Sequence, residues 1–237
     1  ENGVILFPIE QFLFTPAVQK AIRLISSGEA GEVTNIYTYA SISPLVERFK
    51  KGELPNWINS LPGGIYGEEI SHPLYTTLKI LNEDIKEVHA SYVGKGNSNA
   101  IPFSELRILL EGENKSARIV MSARSKARHT LLIIVINCEK LTIIIDPPLS
   151  LTIVRNYALH RFSQAGAFMG NLLKNAVSNM IGVASSRIYE GCSWEAASRA
   201  FVKSILNKTD PPITKEEARE WVRITELIFK NLSESKR

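Results

Sequence analysis

The stretch SELRILLEGENKSARIVMSARSKARHTLLIIVINCEKLTIIID, residues 104–146, decides the fold. Its apolar residues alternate with polar ones or form short β-branched runs, and this period of two residues indicates strands. The strand-like segments are 86–93, 104–110, 115–123, 130–136 and 141–145. The later turns are short and polar, as in Glu111-Gly112-Glu113-Asn114. Because such turns join antiparallel neighbours, we predict an antiparallel meander that ends at Asp146-Pro147-Pro148.

Helical patterns and one more strand lie on the N-terminal side of this region. Thr15-Pro16 begins a short amphipathic helix, with a hydroxyl at the N-cap and proline at the first helical position, and Gly28 ends it. Val33 to Ser43 is rich in β-branched and aromatic residues and predicts a strand, followed by a polar, basic loop through Arg48. The Pro/Trp/Gly-rich stretch from Pro55 to Gly64 then leads tightly into a helix that carries Leu74, Leu78 and Leu81.

Helices also follow the sheet. Small and apolar residues recur at helical spacing from His160 to Tyr189, and two more helices come after them. Thr214 and Glu217 form a capping box at the start of the last helix. We therefore predict a single α+β domain over residues 1–237, with a large, open, predominantly antiparallel sheet and helices packed on one face. Its other face needs a cover, so we expect self-association through that face.

Composition excludes several classes of protein. The chain has 237 residues, 44% of them hydrophobic, and its net charge of +4 is dispersed without a basic block, so nucleic acid is not expected as a partner. No apolar stretch reaches the roughly 18 residues that span a bilayer, and no membrane partner is expected. Cys138 and Cys192 lie far apart without metal-ligand spacing, which predicts no metal site and a reducing, cytoplasmic setting.

Three stretches of the chain resemble a known enzyme family. The matching residues, in chain order, are Phe14-Thr15-Pro16-Ala17 with Gly28-Glu29-Ala30-Gly31-Glu32-Val33, then Trp57 with Gly63-Gly64 and Glu68 to His72, then Asp210-Pro211-Pro212. They are similar to the aromatic-x-Pro-Ala helix and G-x-[IL]-G-x-[IV] turn, the W…GG-x-x-x-D-x-G-x-H segment, and the closing segment of the glucose-fructose oxidoreductase / inositol dehydrogenase / MocA family. The resemblance implies the glyceraldehyde-3-phosphate dehydrogenase-like C-terminal domain of that family.

The resemblance also implies a cofactor and partners. Members act on sugars, cyclitols or related polyols with NAD or NADP, which a Rossmann domain binds. This chain has no G-x-G-x-x-G and no Glu-Lys-Pro motif, so we expect that the N-terminal Rossmann domain is absent from it and comes from the same gene or a separate chain. A homodimer or homotetramer is the expected assembly.

His72 and Glu68 are the catalytic candidates. In the resembled family, the D-x-G-x-H segment places a carboxylate and an imidazole near the substrate hydroxyl and the nicotinamide. Histidine suits proton exchange because its ordinary pKa, about 6.5, lies near working pH. Here Glu68 stands where Asp is usual, Ile70 replaces Gly, and Tyr75 replaces an acidic residue, changes that alter the reach and polarity of the pocket.

The spacing gives a second description of this segment. On one helix, Glu68, His72, Tyr75 and Lys79 would form a single polar stripe. Pro73 disfavours helical geometry at His72, so Glu68 can instead come from the preceding turn. The structural alternative is that His72 caps the helix and Glu68 is a solvated loop residue.

Further candidates lie outside this stripe. Tyr75, Trp57, Arg48 and Lys79 are expected to contact the substrate, with Trp57 as a surface on which a sugar stacks. A group of cations that alternates with small residues predicts one charged strand face, either an anion or subunit contact or a solvated surface. Its members are Arg124, Lys126 and Arg128.

Two functions fit these patterns. The first is the substrate-binding, catalytic-support domain of an NAD(P)-dependent oxidoreductase, in which His72 faces a nicotinamide held by the Rossmann domain. The second is a non-catalytic sugar-binding, oligomerisation or regulatory module of the same fold, which the replacements at Glu68, Ile70 and Tyr75 favour.

Overall fold

A computed structural model describes residues 5–124, 131–157, 161–184 and 192–234. The strands form one seven-stranded sheet, and helices pack on one side of it, as predicted for an α+β domain. The strands are β1 (Val33–Ser41), β2 (Glu87–Ser98), β3 (Ile101–Glu111), β4 (Ser116–Ser122), β5 (Leu131–Cys138), β6 (Leu141–Asp146) and β7 (Leu151–Asn156). The helices are α1 (Pro16–Ser26), α2 (Ser43–Lys50), α3 (Ile65–Glu69), α4 (Ser71–Leu81), α5 (Arg161–Ala184), α6 (Cys192–Asn207) and α7 (Lys215–Glu234), with 3-10 helices at Gln11–Phe14 and Asn56–Ser60.

The strand order corrects the prediction of one continuous meander. The order is β2-β3-β4-β1-β5-β6-β7, so β1 separates two three-stranded meanders. It runs parallel to β4, pairing Tyr39 with Val120, and antiparallel to β5, pairing Tyr39 with Ile133. The short turns do join antiparallel neighbours within each meander. The two meanders are not paired with each other, because β1 lies between β4 and β5.

Two further elements differ from the sequence prediction. The sheet continues past Pro147-Pro148 into β7, because a turn through Ser150, which has a positive φ of 51°, reverses the chain. The basic segment around Arg48 is the helix α2 rather than a loop, with Pro44 in its first turn. Its buried Val46 and half-buried Leu45 and Phe49 pack on the core, which stabilises a short helix despite its polar exterior.

The core lies between the sheet's inner face and the helices. Alternate strand residues such as Ile36, Ile119 and Ile134 point to this face and are completely buried. There α1 packs on β6 and β7, α4 packs on β1 and β4, and α7 packs on β2. Burial of so many apolar side chains on one face is the main source of stability for a sheet of this kind.

An apolar band crosses the outer face of the sheet, along cross-strand neighbours from Tyr37 through Val135 to Ile144 and Ile153. Exposure falls along the band from 45% at Tyr37 to 8% at Ile153, and Val135 and Ile144 are half-buried. Arg118 lies over the Tyr37 ring, with its guanidinium carbon 5.9 Å from the ring centroid. The predicted alternation within 131–136 holds for the described side chains, since Leu132 and Ile134 face the core and Ile133 and Val135 face outward.

Candidate functional site

Two glycines and a proline position the helix that carries His72. Gly63 and Gly64 both have positive φ, and a Cβ at Gly64 would lie 2.3 Å from the Ala100 carbonyl oxygen, so the chain turns tightly into α3 there. Ile70 then separates α3 from α4. Pro73 lies in the first turn of α4, the place a proline tolerates, so His72 remains helical.

His72 is half-buried and pairs with a buried carboxylate that the sequence did not predict. Its Nδ1 lies 2.9 Å and 3.0 Å from the two carboxylate oxygens of Glu10. Glu10 is only 2% exposed and caps the 3-10 helix by accepting a hydrogen bond from the Phe12 N–H. The Phe12 ring packs edge-on against the imidazole, with 5.2 Å between centroids. This contact fixes the ring orientation and turns Nε2 away from Glu10, toward Glu69 at 4.0 Å.

The surrounding charges determine the protonation of the imidazole. Burial opposes the charged form, but the Glu10 hydrogen bond and charge, with the charges of Glu69 and Glu68, outweigh it and raise the pKa of His72 above 6.5. Burial likewise raises the pKa of the Glu69 carboxyl, against the opposing charges of His72 and Arg48. The imidazole therefore holds its proton to a higher pH than an ordinary histidine does.

A small cavity lies beside the His72 ring. Its volume is about 20 Å³, enough for about one water molecule. Its lining combines apolar side chains with the polar groups of Ser41, Glu69 and His72, and the apolar members include Phe12, Leu45 and Met121. The arrangement can hold one small polar group against the imidazole.

The structure gathers two more predicted residues near this end of α4. Glu68 is exposed on α3, one residue before the half-buried Glu69, and its charge acts on both Glu69 and His72. Arg48 also acts on Glu69 by its charge, while its Nε lies 3.5 Å from a carboxylate oxygen of Glu53. The negative charge of Glu10, Glu68 and Glu69 therefore exceeds the positive charge of His72 and Arg48.

Tyr75 and Lys79 lie at a different place from His72. The Tyr75 hydroxyl is 3.5 Å from a Glu217 carboxylate oxygen, and Lys79 forms an ion pair with the same carboxylate. Glu217 also closes the predicted capping box, accepting from the Thr214 N–H at 2.9 Å while its own N–H donates to the Thr214 hydroxyl at 3.2 Å. The predicted stripe therefore divides, because Tyr75 and Lys79 join α4 to α7.

The large cleft of this region lies at that second place. Its volume is about 610 Å³, and it runs between the end of α4 and the start of α7. Carboxylates dominate its lining: Glu83, Asp84, Glu216, Glu217 and Glu220 beside Tyr75 and Lys79. A cleft with this charge disfavours a phosphorylated ligand.

The remaining candidates lie apart. Trp57 is 51% exposed on the 3-10 helix Asn56–Ser60. Arg124 corrects the prediction of a charged strand face, because β4 ends at Ser122 and Arg124 lies exposed beyond it. The segment after Ser122 offers no apolar alternation that a sheet would bury. Lys126 and Arg128 lie outside the described residues.

Sequence reasoning missed Glu10 and Glu69, the two carboxylates that contact His72. Glu69 stands next to the predicted Glu68, and the break at Ile70 makes it the residue that faces the imidazole. Glu10 is a single acid in an otherwise apolar segment, Ile5 to Phe14. Because a buried carboxylate requires a partner, a single acid in an apolar segment is the sequence signal that could have indicated this pair.

The described residues contain one group with metal-ligand geometry. Glu87, His89 and Glu111 lie on the outer face of β2 and β3, and each offers an atom within 4.8 Å of the others. The His89 imidazole forms ion pairs with both carboxylates.

None of the described helices has the length and apolar character needed to cross a bilayer. Within the described ranges, no glycine-rich turn joins a strand to a helix in a parallel β-α-β unit, so these residues do not fit a dinucleotide.

Comparisons with known proteins establish the fold. An NAD-binding oxidoreductase from Klebsiella pneumoniae superposes with a TM-score of 0.69 at 15% identity, over 97% of this chain and 64% of that one. The WlbA dehydrogenase from Bordetella pertussis, in complex with NADH and UDP-GlcNAcA, gives 0.73 at 13% identity, over 98% and 64%. Levoglucosan dehydrogenase, in complex with NADH and levoglucosan, gives 0.67 at 14% identity, over 98% and 65%.

These structural neighbours are NAD-binding oxidoreductases, and the chain shares the α+β fold of their C-terminal domains. The predicted fold class is therefore confirmed. The chain spans about two thirds of the length of each, 64% or 65%. No protein-family model matches the sequence. No curated protein matches it in sequence.

Proposed function

We propose that this chain is the substrate-side domain of an NAD(P)-dependent oxidoreductase of the glucose-fructose oxidoreductase / inositol dehydrogenase / MocA type. The observation that carries the proposal is the imidazole of His72, held by the buried Glu10 with Nε2 turned toward Glu69 and a small cavity. A carboxylate that holds one ring nitrogen while the other faces a reacting group is a common arrangement in acid/base catalysis. The shared fold with NADH-binding dehydrogenases supports the same reaction class.

The proposed chemistry concerns the proton of a substrate hydroxyl. Oxidation of an alcohol to a carbonyl removes a hydride from carbon and a proton from oxygen. NAD or NADP, held by a Rossmann domain, would supply the acceptor for the hydride. His72 accepts the hydroxyl proton at Nε2 in oxidation and returns it in carbonyl reduction. Because its pKa is raised, oxidation quickens as the pH rises through that pKa, whereas reduction slows.

Charge favours a neutral substrate at His72. Three carboxylates, Glu10, Glu68 and Glu69, face one imidazole and Arg48, an excess of negative charge that repels phosphate. A sugar, cyclitol or related polyol offers uncharged hydroxyls that donate to carboxylates. We propose that Glu68 and Arg48 orient such a substrate and that Trp57 supplies a stacking surface. Levoglucosan, the ligand of one structural neighbour, is the first compound to test.

Contacts with α7 make Tyr75 and Lys79 weaker candidates for substrate binding than His72, since Glu217 already engages both. Arg124, with Lys126 and Arg128, stays a proposal for an anion or subunit contact. We propose assembly as a homodimer or homotetramer, since the outer face of the sheet carries an apolar band. The free Cys138 and Cys192 fit a reducing, cytoplasmic setting.

The second candidate is a non-catalytic binding or assembly module. The small volume of the cavity beside His72 favours it, because about 20 Å³ admits a single functional group and no sugar ring. In that function, the pair of His72 and Glu10 only stabilises the packing of α4 against the 3-10 helix.

A reconstituted enzyme distinguishes the two candidates. The chain is joined to, or mixed with, its nucleotide-binding domain and assayed for NAD(P)H formation with levoglucosan, inositols and simple sugars. We expect turnover with at least one of them, and calorimetry of the 237-residue chain without that domain should detect no low-micromolar NAD(P) binding. Sugar binding without turnover across the panel would instead support the non-catalytic module.

A further inference from the structure

Helix α5 buries polar amide side chains and exposes large apolar ones. Its Asn175 is buried against the edge strand β7, where the side chain donates to the Thr152 carbonyl at 2.6 Å and accepts from the Thr152 N–H at 3.4 Å. One turn on, Asn179 donates to the Leu149 carbonyl at 3.1 Å. These amides satisfy backbone groups near the sheet edge. The side of the helix that faces its own domain therefore combines these amides with the half-buried Phe168 and Leu172.

Large apolar side chains occupy the opposite face. Met169, Leu173, Val177 and Met180 are 55%, 63%, 49% and 64% exposed. Their spacing of four, four and three residues places them in one stripe along the helix. The stripe borders a groove of about 610 Å³ that Leu173 and Val177 share with Pro16 of α1. A helix with its apolar face outward has a partner for that face.

Two glycines in the same helix indicate close approach of another backbone. A Cβ added at Gly166 or Gly170 would meet nothing within 4 Å among the described residues, so packing against those residues does not require either glycine. Glycine in the middle of a helix lowers its stability relative to alanine. Small residues that face outward let a second helix pack at short distance.

The residue sizes along α5 match a second copy of the same helix. In an antiparallel pair centred on Leu173, Met169 faces Val177, Gly166 faces Met180, and Gly170 faces Ala176. The same register sets Phe162 against Ala184 at the ends. Two leucines thus meet at the centre, and on either side of them each large residue meets a small or medium one, as interdigitation requires, while a two-fold axis makes both halves identical.

We propose that α5 forms an antiparallel, two-fold symmetric contact with α5 of a second copy of this chain. The four exposed stripe residues offer on the order of 400 Å² of side-chain surface, given roughly 150 to 250 Å² for a large buried side chain. The groove walls along Pro16 extend the contact toward the about 800 Å² per partner of specific interfaces. This contact is separate from the sheet's outer face, and two different two-fold contacts generate a tetramer.

Charge distinguishes this partner from an anionic lipid surface. The charged residues of α5 are Arg161 and Lys174, both basic, and the charges of Lys174 and Arg23 both act on Lys20 of α1. Two copies bring like charges together, so salt strengthens the dimer by screening the repulsion. Salt would weaken binding to anionic lipid. The two partners therefore predict opposite salt dependence.

Cysteine crosslinking tests the contact itself, whether or not the outer sheet face also associates. In a Cys192→Ser background of the 237-residue chain, Leu173→Cys should crosslink to a dimer with a short bis-maleimide at least tenfold faster than Leu206→Cys. Leu206 is the matched control, a leucine that is 76% exposed on α6. Equal rates would overturn the proposal.

Two further measurements guard against a folding artefact. Gly166→Leu should slow crosslinking of the Leu173→Cys chain at least tenfold while its melting temperature stays equal or rises, because only the helix pair needs the glycine.

Val177→Glu should raise the dimer dissociation constant at least tenfold. Val222→Glu, of similar exposure on α7, should not raise it. Crosslinking unaffected by Gly166→Leu, or equal effects of the two glutamates, would reject close pairing of α5.

Vesicle sedimentation tests whether an anionic lipid surface, rather than a second copy, binds the apolar face of α5. Mixed phosphatidylserine and phosphatidylcholine vesicles should leave the chain in the supernatant, and crosslinking should quicken between about 0.05 and about 0.5 M salt. Salt-sensitive co-sedimentation that Leu173→Glu removes, without crosslinking, would replace the second copy by a membrane surface.

Discussion

The two ends of α4 carry charged side chains in opposite environments. At the first end, His72 pairs with Glu10, whose carboxylate is buried, beside a cavity the size of one water molecule. At the other end, Lys79 pairs with Glu217, and both side chains are 34% exposed beside an open cleft of about 610 Å³. A buried charge without its partner is strongly destabilising, whereas pairs at the surface contribute little.

The proposed function assigns the chemistry to the smaller of these two cavities. The open cleft is lined by carboxylates that solvent screens, and its basic residue already serves as a link between α4 and α7. The small cavity contains the group whose proton affinity burial and neighbouring charges adjust. Burial and orientation of a titratable side chain therefore identify the proposed site better than volume does.

The largest expected difference between the two ends of α4 is in how substitutions there change turnover. With the nucleotide-binding domain restored, His72→Ala should lower turnover by about 10²- to 10⁴-fold, the usual effect of losing a general acid/base, while NAD(P) binding stays intact. Glu68→Gln should lower it less, because an amide partly replaces an orienting carboxylate. Lys79→Ala is the control and should leave turnover within about threefold. Unchanged turnover in His72→Ala with a lower melting temperature would assign this domain to the binding-module alternative.

The next largest difference between the two ends of α4 is expected in how substitutions there change the free energy of unfolding. Glu10→Gln in the 237-residue chain should lower the free energy of unfolding at pH 6 by about 2 kcal/mol, because hydrogen bonds to charged groups contribute about 1.5 to 3 kcal/mol. Lys79→Met should cost less than about 1 kcal/mol, as for other exposed pairs. Urea denaturation measures both, and equal losses would contradict the difference in burial on which the comparison depends.

The pH dependence of stability should carry the signature of His72. Its pKa is raised in the folded state, so the folded chain holds the proton more tightly than the unfolded chain. The resulting stability is complete below the unfolded pKa of about 6.5 and is lost as the pH rises through the folded pKa. Glu10→Gln should flatten this decline in urea midpoints measured between about pH 6 and 9. A decline that persists in that variant would belong to another group.

An effect smaller than that of Glu10→Gln is expected at the α7 cap. Thr214→Ala removes the hydroxyl that accepts from the Glu217 N–H and should cost about 1 kcal/mol. Burial opposes the Glu217 charge, but Lys79 and Thr214 outweigh it and lower the pKa of Glu217. This stabilisation is present above the ordinary carboxyl pKa and is lost as the pH falls through the lowered value. Thr225→Ala, within α7, is a control for loss of a hydroxyl away from the cap.

Local patterns predicted the elements of the fold better than their arrangement. A period of two residues located the central strands, and Thr214 with Glu217 located the start of α7. The position of β1 depends on which distant strands accept it, and no local pattern carries that information. The charges of the α2 segment predict a loop, whereas Pro44 in its first turn is a helix-start signal that the prediction did not use.

The site could be predicted only in part for a similar reason. His72 stands out through its resemblance to a family motif, but its partner Glu10 lies on a different element, far along the chain. Glu68 and Glu69 differ by one position, and the bend at Ile70 decides which of them faces the ring. Tyr75 and Lys79 share the helix with His72, yet α7 engages them, and helical spacing cannot predict a third element.

The central place of β1 has a consequence for how the chain folds. Each three-stranded meander can assemble from short hairpins soon after its own residues are made. Strand β1 is synthesised before both of its partners and stays unpaired until β4 and then β5 emerge. Closing those two long loops is the slow, entropically costly part of folding. Until β1 docks, β4 and β5 each present an open edge, so a direct β4 to β5 pairing is the misfolded sheet that competes with the native one.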